Sequence, residues 1–130
     1  MDLREINVLV LAYLGDTIYE DYIRRFLIKS GISNVDDLQT ESIKYVSAIN
    51  QSKFLINMID SNFFSEDELS IIKRARNYRA KHRPKNTDIR SYNNATGLEA
   101  LIGYLDLSNN KNRIVEIMNY IIGEWYVNIW

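Results

Sequence analysis

Apolar residues recur at steps of three and four along nearly the whole chain, and this periodicity constrains the fold more than any other feature. It is clear between residues 43 and 59, where one apolar face is formed by Ile43, Val46, Ile49, Phe54, Leu55, Met58 and Ile59. Such spacing places the apolar side chains on one face of a helix, whereas the scattered valines and threonines form no convincing alternating strand. The sequence therefore predicts a single compact all-α domain over residues 1–130, with about six helices.

Capping residues and breaks divide this pattern into segments. Gly31 is a suitable C-terminal cap for the first helix, Ser33 or Asn34 can cap the next, and a break is expected near Ser47. Ser65 with Glu68 three residues later has the form of a capping box. The expected helices cover about 4–29, 35–60 (with the break), 66–78, 95–107 and 114–125.

Composition excludes several classes of site. The chain has no cysteine and one histidine, His82, so neither a disulfide framework nor a zinc site built from thiolates or imidazoles is expected. No apolar run approaches the ~20 residues that span a bilayer. The N-terminus also lacks the layout of a signal peptide. The sequence therefore predicts a cytoplasmic protein with no membrane partner.

Basic residues are concentrated in one segment of an otherwise acidic chain. Net charge is −1, yet eight of the 16 lysines and arginines lie between Lys73 and Arg90, opposed only by Asp88. This distribution predicts contact with a polyanion at one place, although a solvated charge run would have the same composition. The candidate RNA-binding residues are Arg74, Arg76, Asn77, Arg79, Lys81, Arg83, Lys85, Asn86 and Thr87; Thr87 could instead cap the following turn.

Three acids interrupt two of the most apolar helices. Asp16 and Glu20 are four residues apart and share a helix face, and Glu99 stands in a second apolar helix. If these helices pack together, the carboxylates converge, and clustered carboxylates persist mostly where a cation binds. Oxygen ligands suit Mg²⁺ or Mn²⁺, which can activate water for phosphodiester hydrolysis. The alternative is acids on the solvated stripe of each helix.

Four motifs give the chain a family resemblance. LAYLGDTIYE resembles the signature helix of the ribonuclease III catalytic domain, and LEALIGYLDL resembles its second acidic helix. RARN…PKNTDI before the second helix and YVSA at 45–48 resemble the mini-ribonuclease III branch, over roughly residues 9–107. The resemblance implies a homodimeric, Mg²⁺-dependent endoribonuclease that cuts double-stranded RNA during ribosomal RNA (23S precursor) maturation and leaves 5′-phosphates.

The resemblance also assigns roles to individual residues. Asp16 matches the catalytic aspartate and Glu99 the metal-binding glutamate, while Glu20 has no firm counterpart and is a secondary candidate for metal binding. Two further carboxylates of the larger enzymes are replaced here by Ala12 and Thr96. Because the signature helices meet in the implied dimer, Gly15 is expected at that interface.

Two other functions are compatible with the sequence. A non-catalytic RNA-binding or ribosome-assembly module would keep the fold and lose cleavage, which Ala12 and Thr96 favour and the retained Asp16 and Glu99 oppose. A plain helical interaction domain is the third reading. In each case the tyrosines on apolar helix faces are expected to pack in the core or a dimer: Tyr13, Tyr19, Tyr22 and Tyr104.

Overall fold

Six α-helices and a short 3-10 turn at Leu3–Glu5 make up the computed structural model, which describes residues 2–78 and 88–129, with side chains to residue 123. No strand occurs in these ranges, so the predicted all-α class is confirmed. The helices are α1 (Val8–Lys29), α2 (Val35–Val46), α3 (Ala48–Asp60), α4 (Glu66–Arg76), α5 (Ile89–Leu107) and α6 (Lys111–Ile129).

Helix α5 forms the centre of the domain. It is apolar on almost every side, with ten buried residues in 19, and α1, α3, α4 and α6 all pack against it. A helix that is apolar all round is stable only when other elements cover it completely. Glu99, near the middle of this helix, is therefore held among packed helices.

Most predicted boundaries are confirmed by local hydrogen bonds. The Asn34 side chain accepts from the Asp37 N–H at the start of α2, and Ser47 separates α2 from α3 with an extended backbone. Ser65 and Glu68 form the reciprocal capping box. Gly31 adopts a left-handed conformation, with φ of 104°, just after α1.

The start of α5 differs from the expectation. The helix begins at Ile89 and not near residue 95, because the Asp88 side chain accepts from the Ser91 N–H and caps an additional polar turn. The last helix likewise begins at Lys111, three residues before the predicted start. Polar helix ends carry no apolar periodicity, so the sequence pattern predicted starts for α5 and α6 that are too late in the chain.

A partly buried ion pair joins α4 to α6. Arg113 donates to both carboxylate oxygens of Glu68, at 2.8 and 2.9 Å, and to the Phe63 carbonyl at 2.6 Å. Burial by itself raises the pKa of Glu68, but hydrogen bonds from Arg113 and Ser65 outweigh it and hold that pKa below its ordinary value. The contact fixes the loop between α3 and α4 against α6.

Arg113→Met is expected to lower the free energy of unfolding by about 2 kcal/mol, because it leaves the Glu68 carboxylate buried without its partner. Glu116→Gln is the matched control, since Glu116 contacts the same arginine from a 61% exposed position. A lowered carboxyl pKa stabilises the fold above its unfolded value of about 4.3, and this is lost as pH falls through the folded value. Thermal denaturation between pH 3 and 7 measures both effects, and equal stability of the two variants would contradict the assignment.

Candidate active site

The backbones of α1 and α5 touch at two glycines. A Cβ on Gly15 would overlap the Glu99 carbonyl oxygen and lie 2.9 Å from the Gly103 nitrogen, and a Cβ on Gly103 would overlap the Leu11 carbonyl. Gly15 thus permits a close approach of two backbones, and its partner is α5 of the same chain. The expectation that Gly15 lies at a dimer interface was wrong, because the residue is buried inside the domain.

This close contact brings two carboxyl groups together. Asp16 follows Gly15 at the edge of the buried face of α1, and its side chain lies within hydrogen-bonding reach of the Glu99 carboxyl. Burial raises the pKa of Glu99 to about 9, and the hydrogen bond and negative charge of Asp16 act in the same direction. Two like charges at a half-buried position are unfavourable, so the pair favours a shared proton or a bound cation.

Glu20 lies further from this pair. Its charge contributes weakly to the raised pKa of Glu99, and its carboxylate contacts Arg24 at 3.4 Å on the exposed side of α1. Across the described residues, no three acidic, histidine or cysteine side chains stand close enough together to hold a metal ion. The structure therefore brings together Asp16 and Glu99, and the role of Glu20 as a ligand stays a prediction.

Ala12 and Thr96, which stand in place of two carboxylates of the larger enzymes, supply no metal ligand in their stead. Ala12 is 7% exposed and packs in the core. The Thr96 hydroxyl donates to the Tyr92 carbonyl at 2.9 Å, so it is bonded within its own helix. The donor set is consequently two carboxylates, which fits Mg²⁺, because this ion often binds one or two carboxylates and keeps several waters.

Two buried side chains lie beside the carboxyl pair, and neither was predicted as part of the site, although the predicted burial of Tyr19 is confirmed. Tyr19, fully buried, donates to the Tyr45 carbonyl at 2.6 Å, and its pKa is raised by burial and by the nearby charge of Glu99. Gln51 of α3 is 2% exposed, and its nearby amide lowers the pKa of the Glu99 carboxyl, against the larger effect of burial. The sequence did indicate that Gln51 is buried, since it begins the helix face that continues with the apolar residues Phe54, Leu55 and Met58.

The structure distributes the other predicted tyrosines differently. Tyr22 and Tyr104 are partly buried against the core, as expected. Tyr13 is 82% exposed within the single chain, on the face of α1 that turns away from α5, so of the two expected positions, core or dimer, the core is excluded for this residue.

A basic groove opens at the ends of α4 and α5. Its volume is 590 Å³, and its polar lining consists of Lys73, Arg76, Asn77, Arg90, Asn93 and Asn94. The aliphatic part of Arg76 packs over Gly97, where an added Cβ would lie 3.1 Å from the arginine Cγ. Gly97 therefore permits close approach of a side chain and positions one of the predicted RNA-binding arginines at the groove.

Arg74 lies on a different side of α4. Its guanidinium donates to the Ile6 carbonyl at 3.0 Å and ties α4 to the segment before α1. Six other predicted RNA-binding residues lie outside the described residues: Arg79, Lys81, Arg83, Lys85, Asn86 and Thr87. The structure thus brings Arg76 and Asn77 together at the groove and gives Arg74 a structural contact.

Residues 9–110, which include both acidic helices, match the model of the Ribonuclease III domain. The chain belongs to the ribonuclease III family. Mini-ribonuclease 3 of Enterococcus faecalis is 39% identical over 121 residues, which cover 93% of this chain and 92% of that protein. Mini-ribonuclease 3 of Staphylococcus aureus is 35% identical over 117 residues, 90% of this chain and 87% of that protein.

A solved structure agrees with this assignment. The crystal structure of a Fusobacterium nucleatum protein superposes with a TM-score of 0.83 at 33% identity and covers 95% of this chain and 97% of that one. The resemblance drawn from the two acidic helices is therefore confirmed, and the chain is an endoribonuclease of the ribonuclease III type. None of the helices in the described residues has the length and hydrophobicity required to span a membrane.

Proposed function

We propose that this endoribonuclease cuts double-stranded RNA with Mg²⁺ held by Asp16 and Glu99, and that it processes a ribosomal RNA precursor in the cytoplasm. The observation that carries the proposal is the carboxyl pair at the α1–α5 contact. Burial and mutual repulsion make that pair unfavourable without a compensating positive charge. Mn²⁺, which accepts the same oxygen ligands, is expected to substitute for Mg²⁺.

Each part of the site has a distinct chemical task. Asp16 and Glu99 hold the cation, and a cation so bound supplies Lewis acidity and neutralises charge on the phosphate oxygens. The buried wall formed by Tyr19 and Gln51 limits access of bulk water to one side of the carboxyl pair. The basic groove supplies cations for the phosphates of a duplex, which proteins recognise mainly through its backbone and 2′-hydroxyls.

Removal and return of the metal tests this proposal. The protein, after treatment with EDTA, is expected to leave a duplex RNA intact and to cut it when excess Mg²⁺ is added. Product ends should carry 5′-phosphates, and a single-stranded RNA of the same sequence should survive. Cutting in EDTA, or equal cutting of the single strand, would contradict the proposal.

The groove cations are expected to contribute to RNA affinity without sequence preference. Lys73→Gln and Arg76→Gln should each weaken duplex binding and reduce the slope of log K against log[salt] by about one. Lys29→Gln is the matched control, because Lys29 ends α1 about 30 Å from the end that contacts α4. Duplex binding measured at several salt concentrations tests this prediction. Unchanged slopes in the Lys73 and Arg76 variants would show that these residues do not contact the RNA.

Self-association is the second part of the proposal. Val10 (57% exposed), Tyr13, Leu14 and Thr17 form an outward stripe on α1, at the spacing of one helix face. Asp16 and Glu20 border this stripe. A second copy that packs its own α1 here would therefore place two acidic sites along one interface, consistent with a dimer in which each site cuts one strand.

Tyr13→Arg is expected to convert the dimer to a monomer, because it places a charge at the centre of the proposed interface. Val115→Arg on α6, also at an exposed apolar position (40%), is the control and should remain dimeric. Analytical ultracentrifugation measures the mass of both variants. A dimeric Tyr13→Arg protein would show that this stripe is not the interface.

A further inference from the structure

Gln51 is a polar side chain in a position that packing alone would assign to an apolar residue. It lies in the first turn of α3, on the same face as Phe54, Leu55 and Met58, and only 2% of it is exposed. Burying an amide removes its hydrogen bonds to water, so the amide is favourable only if the protein replaces them. The amide nitrogen of Gln51 has a hydrogen-bond acceptor, whereas its amide oxygen has no hydrogen-bond partner among the described residues.

The nitrogen of the amide has one hydrogen-bond acceptor: Nε2 donates to the Val46 carbonyl at 3.0 Å. The amide also lies close enough to Glu99 of α5 to lower the pKa of that carboxyl, against the larger effect of burial. Oε1 is buried and has no hydrogen-bond partner among the described residues. A glutamine with an unsatisfied oxygen is a poor choice for stability, so its presence next to Glu99 requires another explanation.

The α2–α3 break supplies the fixed point for this contact. Val46 is the last residue of α2, and the carbonyls of a helix's last turn have no partner within the helix. Ser47 then turns the chain with an extended backbone, so that Gln51, five residues after Val46, reaches that carbonyl. The break therefore orients an amide whose other neighbour is a carboxylate of the site.

We propose that Gln51 is a positioning residue of the active site: its amide, anchored to the Val46 carbonyl, fixes the direction in which Glu99 presents its carboxylate to a cation shared with Asp16. This inference rests on the proposed function, because it assigns Glu99 to metal binding. A glutamate has three rotatable side-chain bonds, and repulsion from Asp16 would turn its carboxylate away. Side chains that orient metal ligands commonly matter for affinity as much as for rate.

Mn²⁺ binding to the RNA-free protein tests the proposal directly, with electron paramagnetic resonance as the measure of free Mn²⁺. Gln51→Met keeps the volume and removes the amide, and it should weaken Mn²⁺ binding by about tenfold or more. The Mg²⁺ concentration for half-maximal cleavage should rise and kcat should fall, while KM for duplex RNA stays unchanged. A purely structural role would not produce this division.

Ser52→Ala provides the matched control. Ser52 is the next residue of α3, is 6% exposed, and accepts a hydrogen bond from Asn94 of α5 at 2.8 Å. Its loss disturbs the same helix interface without touching Glu99, so Mn²⁺ affinity should stay at the wild-type value. Gln51→Asn, with an amide that is one methylene shorter, serves if Gln51→Met does not fold, and it too should bind Mn²⁺ more weakly.

The outcomes separate this inference from the function on which it rests. Weaker Mn²⁺ binding in a folded Gln51 variant, with Ser52→Ala unchanged, supports the inference. If the wild type binds Mn²⁺ and a folded Gln51 variant binds equally well, the inference alone is overturned. Equal loss in Ser52→Ala overturns it as well, because the effect is then general to the interface. A wild type that binds no Mn²⁺ overturns both.

Discussion

Asp16→Asn is expected to abolish cleavage of duplex RNA while leaving the fold and RNA binding in place. The substitution keeps the size of the side chain and removes one of the two negative charges that attract the cation. A loss of catalytic rate on the order of a thousandfold or more, equivalent to about 4 kcal/mol in the activation barrier, is expected. Single-turnover cleavage with excess protein measures this rate independently of substrate binding.

The thermal stability of Asp16→Asn, unlike its activity, is not expected to fall. Asp16 is exposed and lies beside Glu99, whose pKa it raises, so neutralising it relieves repulsion in the metal-free protein. The melting temperature in EDTA should therefore be equal to or above that of the wild type. Asp21→Asn is the matched control, because Asp21 is on the same helix and pairs with Arg25 at 3.0 Å. This variant should cut duplex RNA at the wild-type rate. If Asp16→Asn cuts duplex RNA at the wild-type rate, Asp16 is not part of the active site.

Gly15→Ala is expected to destabilise the domain strongly, because the added methyl group meets the backbone of α5. The new Cβ would occupy the place of the Glu99 carbonyl oxygen, so α1 and α5 must separate along their contact. Overpacking against a rigid backbone costs about 3 kcal/mol or more, which lowers the melting temperature of a domain this size by about 10 °C. Gly103→Ala, which meets the Leu11 carbonyl, should have a similar effect.

Gly123→Ala is the control for helix propensity. Gly123 lies in α6, and an added Cβ there meets no atom of the described residues within 4 Å. Alanine is more favourable than glycine inside a helix by up to about 1 kcal/mol, so this variant should be as stable as the wild type or more so. Thermal denaturation of the three variants checks the account, and a Gly15→Ala protein with wild-type stability would show that the two backbones are not in contact.

Local sequence rules predicted much of this fold. Apolar spacing located the helices, and the caps at Asn34, Ser47 and Ser65 are hydrogen bonds within a few residues, which sequence can specify directly. The early start of α5 was missed because its first turn is polar and depends on a single cap, Asp88. The acids Asp16 and Glu99 stood out because each interrupts an apolar helix.

Features that depend on how helices meet could not be predicted from local patterns. The partner of Gly15 is α5 of its own chain, a fact decided by the matching glycine at 103 and not by the sequence around residue 15. Gln51 acquires its neighbours only when the α2–α3 break and α5 come together. The exposure of Tyr13 depends likewise on which face of a largely apolar helix contacts α5.

Wild-type protein, one long duplex RNA and Mg²⁺ provide the most direct test of the central claim, with binding and cleavage followed in the same samples. The carboxyl pair of Asp16 and Glu99 predicts that bound duplex is cut into fragments with 5′-phosphates and that Glu99→Gln binds the duplex without cutting it. Duplex that is bound yet intact with the wild type would contradict the claim and favour a non-catalytic RNA-binding module with the same fold.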